Sequence, residues 1–296
     1  MGGTVKALCY VGISMHPNAL RELGKFYKVA LDDTQLPVCE AAIVYYADNA
    51  LLDTAPNLRA LGCHSCGKKL LQLAKECNVS LTLAAGLWRT VAEHTLALMM
   101  SAARCVASSD RALRLGAWER HSDLKVRYSG FDFQEKTVGI WGMGQIGREL
   151  ASMLSGFHVR ILYSDIYRLP LDVEKRLNAE YCEFSELLPE CDYFSVLVPH
   201  NASTDRFLGK AQFDQMKDGV VFVNTARSGI VVEEDFYAAL DSGKIGAAAL
   251  DVIWREGEKV SERLAKYDNV VLTPHLGGST FECDMELVRG VCRQVQ

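Results

Sequence analysis

The sequence predicts an α/β protein made of two doubly wound parallel-sheet domains, and three observations predict it. Its 296 residues exceed what one hydrophobic core usually organises, so two domains of roughly 100 to 200 residues are expected. Short apolar runs alternate with segments of helical spacing along nearly the whole chain, the rhythm of strands joined by crossover helices. That rhythm is interrupted once, between Thr90 and Gln134, where a long helical segment and then a polar stretch separate one set of strands from the next.

In the first set, Val5–Val11, Ile43–Tyr46, Leu58–Cys63 and Val79–Leu83 read as strands, with helices around Ala19–Tyr27 and Lys68–Cys77. From Thr90 to about Leu115 the chain has no Gly or Pro and its apolar positions recur at helical spacing, which predicts one long helix. Gly116 interrupts it, and Glu119–Gln134 is expected to be an irregular connection. The second set has strands at Thr137–Trp141, Val159–Tyr163, Tyr193–Val198, Val220–Asn224, Ala247–Leu250 and Val270–Leu272. Ser242-Gly243 closes the Glu233–Asp241 helix in the manner of a C-terminal glycine. A last helix, Phe281–Val295, is expected to return to the first domain, which then consists of residues 1–91 and 276–296, with 92–275 forming the second. The crossings near Val91 and His275 are expected to act as hinges. No internal repeat is visible.

Composition narrows the function classes. Hydrophobic residues at 49% and charged residues at 23% are ordinary for a soluble globular chain and argue against a disordered or fibrous one. A net charge of −5, with Lys and Arg scattered, offers no track for a nucleic-acid backbone. Apolar stretches such as Thr95–Met100 are far shorter than the roughly 20 residues of a membrane span. Met1–Lys6 lacks the basic segment, apolar run and cleavage site of a secretory signal, so the cytoplasm is the expected compartment. Ten irregularly spaced cysteines read as reduced thiols. Cys63-His64-Ser65-Cys66 has the spacing of a redox or zinc half-site, but without a second ligand pair it reads as ordinary thiols, and no metal is expected.

Gly142-Met143-Gly144-Gln145-Ile146-Gly147 is a GxGxxG placed directly after an apolar strand and opening a helix. Such a turn brings unpaired N–H groups at a helix N-terminus up to a pyrophosphate. The next strand ends at Asp165, near the roughly 20-residue offset at which a carboxylate meets the adenosine ribose hydroxyls, which favours NAD over NADP. Arg168, three residues on, is a charge that would soften that preference.

A dinucleotide fold names no reaction. The remaining chemistry lies in Asn224-Thr225-Ala226-Arg227, Leu250-Asp251-Val252 with Glu256, and Thr273-Pro274-His275-Leu276-Gly277-Gly278, each beyond the carboxyl end of a strand, where open α/β sheets bind ligands. Each side chain also has an ordinary explanation: a surface salt bridge for Arg227, a solvated charge for Glu256, a capped loop histidine for His275.

With Val91-Ala92-Glu93-His94 and the GxGxxG, these phrases resemble the D-2-hydroxyacid dehydrogenase family, which includes phosphoglycerate dehydrogenase, glyoxylate and hydroxypyruvate reductases, formate dehydrogenase and phosphite dehydrogenase. The likeness runs from about Val91 to Thr280. It implies a Rossmann NAD-binding domain, a smaller flavodoxin-like substrate domain, and hydride transfer between NAD and a small 2-hydroxy or 2-keto acid.

Residue by residue, the resemblance makes Arg227 the clamp on the substrate carboxylate, His275 the acid/base and Glu256 the partner of its other ring nitrogen. It assigns Asp251 to the nicotinamide carboxamide, and adds Pro199, Thr225, Ala226, His275 and Gly277 to Gly142, Gly144, Gln145, Ile146, Gly147 and Asp165 as cofactor contacts. On the substrate side it points to Cys66 and Gly67, a turn offering backbone N–H groups, with Lys68 or Lys69 adding charge, and to Leu87 and Trp88. Leu87 stands where many relatives have Asn, and Gly257 where Pro is common. Relatives are usually homodimers joined through the region matching Ala92–Tyr128, where Trp118 is a candidate anchor. Oxidation of formate or phosphite, and an NAD-sensing scaffold of the corepressor kind, are the competing functions.

Overall fold

The computed structural model describes residues 6–67, 69–84 and 86–293. The chain divides into two compact units, residues 1–90 with 278–296, and residues 91–277.

The first unit runs β1 (Leu8–Val11), α1 (Pro17–Phe26), β2 (Lys28–Ala30), β3 (Ala41–Ala47), α2 (Asn49–Thr54), β4 (Ala60–Cys66), α3 (Leu70–Glu76) and β5 (Ser80–Leu83). All pairings are parallel, in the order β2-β1-β3-β4-β5, the flavodoxin-like arrangement. Alternation along the strands gives the sheet two apolar faces. Cys9, Ile43 and Ala60 face α1 and the C-terminal helix Phe281–Cys292 through Leu23, Leu287 and Val291. Ala42, Val44, Leu61 and Cys63 face α2 and α3 through Leu52 and Leu70. Thr280 caps the C-terminal helix, its side chain accepting the Cys283 N–H at 3.2 Å.

Next comes α4 (Leu87–Ala103), which crosses from one unit into the other, followed by α5 (Val106–Arg114) and α6 (His121–Arg127). The expected single helix from Thr90 to Leu115 is thus two. Cys105 takes a left-handed conformation (φ 51°), and the Ala103 carbonyl that would continue the ladder accepts the Phe131 N–H at 2.8 Å instead. The stretch expected to be irregular contains α6, which buries none of its residues and therefore shows no apolar periodicity. Asp268 ties both short helices to the sheet: its carboxylate pairs with Arg111 at 2.7 Å and Arg127 at 2.9 Å, and accepts the Tyr128 hydroxyl at 2.8 Å.

The second unit continues β6 (Thr137–Trp141), α7 (Gln145–Leu154), β7 (Arg160–Ser164), α8 (Leu171–Leu177), β8 (Ala179–Tyr181), α9 (Phe184–Glu190), β9 (Tyr193–Val196), α10 (Lys210–Gln215), β10 (Val220–Asn224), α11 (Glu233–Asp241), β11 (Ile245–Leu250), α12 (Glu262–Ala265) and β12 (Val270–Leu272). These form a seven-stranded parallel sheet in the order β12-β11-β10-β9-β6-β7-β8. Counted from β6, this is the Rossmann order with one further strand. Six strands were expected; β8, a three-residue edge strand, is the seventh. β10 is buried on both sides. Val221 and Val223 join the core shared with α4, α7 and α8, while Val220 and Phe222 join the one shared with α9, α10 and α11. The sheet order reverses between β6 and β9, which places the ligand crevice of this unit beyond the carboxyl end of β6.

Candidate active site

The loop from β6 to α7 is shaped by its glycines. Gly142 has φ +106°, and a Cβ there would lie 2.7 Å from the Leu197 carbonyl carbon; a Cβ on Gly147 would run into the Gly142 carbonyl oxygen. Gly144 differs. A Cβ on it meets no atom within 4 Å, so the loop is open above the start of α7. No side chain caps that helix, and Gln145 and Ile146 occupy its first two positions. Asp165 follows β7 and binds the same loop: one carboxylate oxygen accepts the Met143 N–H at 2.6 Å, the other the Tyr167 N–H at 3.2 Å. An open glycine turn, an uncapped helix start and an adjacent carboxylate fit a dinucleotide's pyrophosphate and ribose.

Three neighbouring strands, β10, β11 and β12, end in the other candidate residues. Beyond β10, the Asn224 side chain accepts the Ala226 N–H at 3.0 Å and donates to the Arg227 carbonyl at 3.1 Å, fixing the turn. Thr225 is buried, its hydroxyl 2.8 Å from that of Thr95 on α4. Arg227 is exposed; its guanidinium donates to the Ala226 carbonyl at 2.6 Å and pairs with no carboxylate among the described residues. Pro199 lies in the exposed loop after β9, its carbonyl accepting the Thr204 hydroxyl at 2.7 Å.

Asp251, just past β11, is 2% exposed. Oδ1 accepts from His94 Nε2 at 3.1 Å, Thr273 Oγ1 at 2.6 Å and the Leu276 N–H at 2.7 Å; Oδ2 accepts the Gly277 N–H at 2.8 Å. Burial pushes this carboxyl upward, but the bonds from His94, Thr273, Leu276 and Gly277 outweigh it and hold it below the usual carboxylate range. His275, between Thr273 and Leu276, adopts φ 56°, and its N–H donates to the Asp251 carbonyl at 2.9 Å. The turn that presents the imidazole therefore hangs on Asp251 through side chain and backbone alike. His94, which the sequence shows only as part of the Val91-Ala92-Glu93-His94 phrase, proves to be a member of this network; an imidazole on a helix face gives no sign in sequence of the strand end it will meet.

His275 Nδ1 lies 3.0 Å from Glu256 Oε2. Glu256 sits in the 254–258 loop, which is held by Trp254 Nε1 donating to the Val231 carbonyl at 3.1 Å and Arg255 donating to Glu233 at 3.0 Å. Gly257 has φ +87°, which proline's ring forbids. Within this unit the fold brings a guanidinium, a carboxylate and an imidazole to adjacent strand ends, on the side of the sheet where the glycine loop opens.

The family model for the NAD binding domain of D-isomer specific 2-hydroxyacid dehydrogenases matches residues 96–277. The chain belongs to that family. Like other D-2-hydroxyacid dehydrogenases it uses NAD as its cofactor. It is 36% identical over 239 residues to glyoxylate/hydroxypyruvate reductase B of Salmonella agona, covering 79% of this chain and 73% of that one. To D-3-phosphoglycerate dehydrogenase of Archaeoglobus fulgidus it is 33% identical over 259 residues; the match covers 86% of this chain but spans only about half (48%) of that relative. Among solved structures, holo D-mandelate dehydrogenase of Rhodotorula graminis superposes with a TM-score of 0.76 at 26% identity, over 97% of this chain and 92% of that one.

In the first unit, Cys66 ends β4 and Gly67 follows it. The Gly67 N–H donates to the Ala47 carbonyl at 3.0 Å, so the expected backbone donor at this position is already used by the sheet. Lys68 lies outside the described residues; Lys69 is exposed. Leu87 and Trp88 open α4, both half-buried, and Leu87 packs against the core shared by α1 and the C-terminal helix. Cys63 is buried in that unit, and burial together with the neighbouring Cys66 pushes its thiol up to about 12, far from a reactive thiolate. The cysteines are free thiols, and no His, Cys, Asp and Glu group among the described residues converges as a metal site.

Proposed function

We propose that the protein is an NAD-dependent dehydrogenase acting on a small 2-hydroxy or 2-keto acid. The observation that carries this reading is the 3.0 Å contact between His275 Nδ1, beyond β12, and Glu256, beyond β11, the strand next to the one that bears Arg227. Bound NAD supplies the hydride acceptor, or as NADH the donor. Gly142, Gly144 and Gly147 with the first turn of α7 hold its pyrophosphate, and Asp165 its ribose hydroxyls. Pro199, Thr225, Ala226 and Gly277 line the nicotinamide end. Asp251 Oδ2, with one donor among the described residues, has acceptor capacity left for the carboxamide.

Arg227 grips the substrate carboxylate with its planar fork and places positive charge beside the C–O bond that changes order. Pairing of Nδ1 with Glu256 fixes the tautomer, so that Nε2 takes the hydroxyl proton in oxidation and returns it in reduction. Glu256 also stabilises the imidazolium formed in between.

The decisive assay follows NADH absorbance at 340 nm with a panel of 2-keto acids, on wild type and His275→Ala. Loss of about 10²- to 10⁴-fold in turnover is expected for the variant; equal turnover would remove His275 from its role. Tight NADH binding without turnover of any keto acid would turn the reading towards an NAD-sensing scaffold.

The assembly proposed with this reading is a homodimer in the cytoplasm, joined through the region Ala92–Tyr128. Leu115, Trp118 and Val126, 82%, 68% and 79% exposed, cluster in sequence on this arm, more apolar surface than two short helices ordinarily leave to solvent. Among the described residues no helix is long and apolar enough to cross a membrane.

A further inference from the structure

Specificity for the cofactor's 2′ position is decided in the loop after Asp165. Arg168 is the one basic residue of that loop, residues 166–170. An arginine so placed is suited to read a 2′-phosphate, since its fork matches phosphate oxygens as well as carboxylate ones. Here the fork is engaged elsewhere. Nε donates to Glu174 Oε1 at 2.9 Å and Nη2 to Oε2 at 3.0 Å, with the guanidinium 5.5 Å from the Tyr181 ring centre.

Glu174 is no casual surface partner. It is buried on α8, and its Oε1 also accepts the Tyr163 hydroxyl at 2.7 Å. The same hydroxyl accepts the Leu169 N–H at 2.8 Å, so strand β7, helix α8 and the loop are knotted at one point. Withdrawing Arg168 leaves the Glu174 carboxylate with the Tyr163 hydroxyl alone among the described residues, at the cost of two charge-assisted hydrogen bonds. A 2′-phosphate would have to supply that cost while also meeting the negative charge of Asp165.

We infer that Glu174 is a specificity-determining residue: it keeps Arg168 folded back onto α8 and Tyr181, and thereby turns the site against the 2′-phosphate of NADP. The inference rests on placement of the cofactor's adenosine end beside Asp165. Glu174 acts through Arg168 and touches no cofactor, so the readout is binding, not turnover.

The test is fluorescence titration of NADH and NADPH against wild type, Arg168→Ala, Glu174→Gln and the double variant. Arg168→Ala should leave both dissociation constants within about twofold, well under 1 kcal/mol. Glu174→Gln frees the guanidinium and should tighten NADPH about tenfold, with NADH little changed, and the double variant should lose that gain. Weaker NADPH binding in Arg168→Ala would overturn the inference, because Arg168 would then already be reading the phosphate. So would unaltered NADPH affinity in a cooperatively folding Glu174→Gln, or a gain that survives in the double variant, which would credit another cation such as Arg148. Should Glu174→Gln fail to fold, Arg168→Ala decides alone by the same criterion. Wild type that binds NADPH as tightly as NADH overturns this inference and leaves the NAD site standing; wild type that binds neither overturns both.

Discussion

A carboxylate 2% exposed persists at position 251 because four donors meet it, two of them backbone N–H groups of the turn that carries His275. His94→Ala removes one donor and should cost about 1 to 3 kcal/mol in urea unfolding. It should also lower turnover with NADH affinity nearly intact, since the loosened element is the His275 turn. The sign of the pH dependence follows from the depressed Asp251 carboxyl. Its stabilisation is fully present above the unfolded pKa of about 3.9 and is lost as pH falls through the lower folded value. The stability gap between wild type and Asp251→Asn should therefore narrow on acidification below about pH 4. A gap independent of pH would show that the carboxylate's charge is not what the network uses. Residue identities at 227, 256 and 275 were legible because each follows a strand-like run. The contacts at 251 were not, since they join positions 157, 22, 25 and 26 apart in the chain.

The glycine turn between β6 and α7 separates structural from binding roles within one element. Gly142→Ala puts a methyl against the Leu197 carbonyl in a backbone conformation that side chains rarely adopt, and should lower the melting temperature by several degrees. Gly144→Ala meets open space, so its melting temperature should stay near wild type while NADH binding weakens at least about tenfold. Equal NADH affinity in a well-folded Gly144→Ala would place the pyrophosphate elsewhere. Elements with a long apolar pattern, such as β6, β10 and α11, were legible to within a residue or two. The edge strands β2 and β8, three residues each, are too short to show alternation and exist only because a neighbour pairs with them. The break in the long helix was hidden for a related reason. Nothing at Cys105 forbids helix; the returning chain at Phe131 takes the Ala103 carbonyl.

At the scale of the whole molecule, exposed Leu115, Trp118 and Val126 are the apolar surface that the proposed homodimer would cover. Size-exclusion chromatography with light scattering should give a dimer at micromolar concentration, and Leu115→Lys with Val126→Lys should give a folded monomer. A wild-type monomer would remove the proposed interface. The division of the chain after Thr90 and before Gly278 leaves the second unit with the glycine turn, Asp165, Arg227, Asp251, Glu256 and His275 all in one continuous segment.

The sequence by itself determined the fold class, the cofactor motif and the order of the candidate site residues, because strand ends, glycine turns and apolar periods are local properties written within a few neighbouring positions. Only the tertiary structure decided which partners those side chains keep: Asp251 with His94, Arg168 with Glu174, Asp268 with the two short helices. Each of these is a contact between elements whose meeting depends on packing of the whole sheet, and hydrogen bonds of a few ångströms are fixed only once that packing is complete.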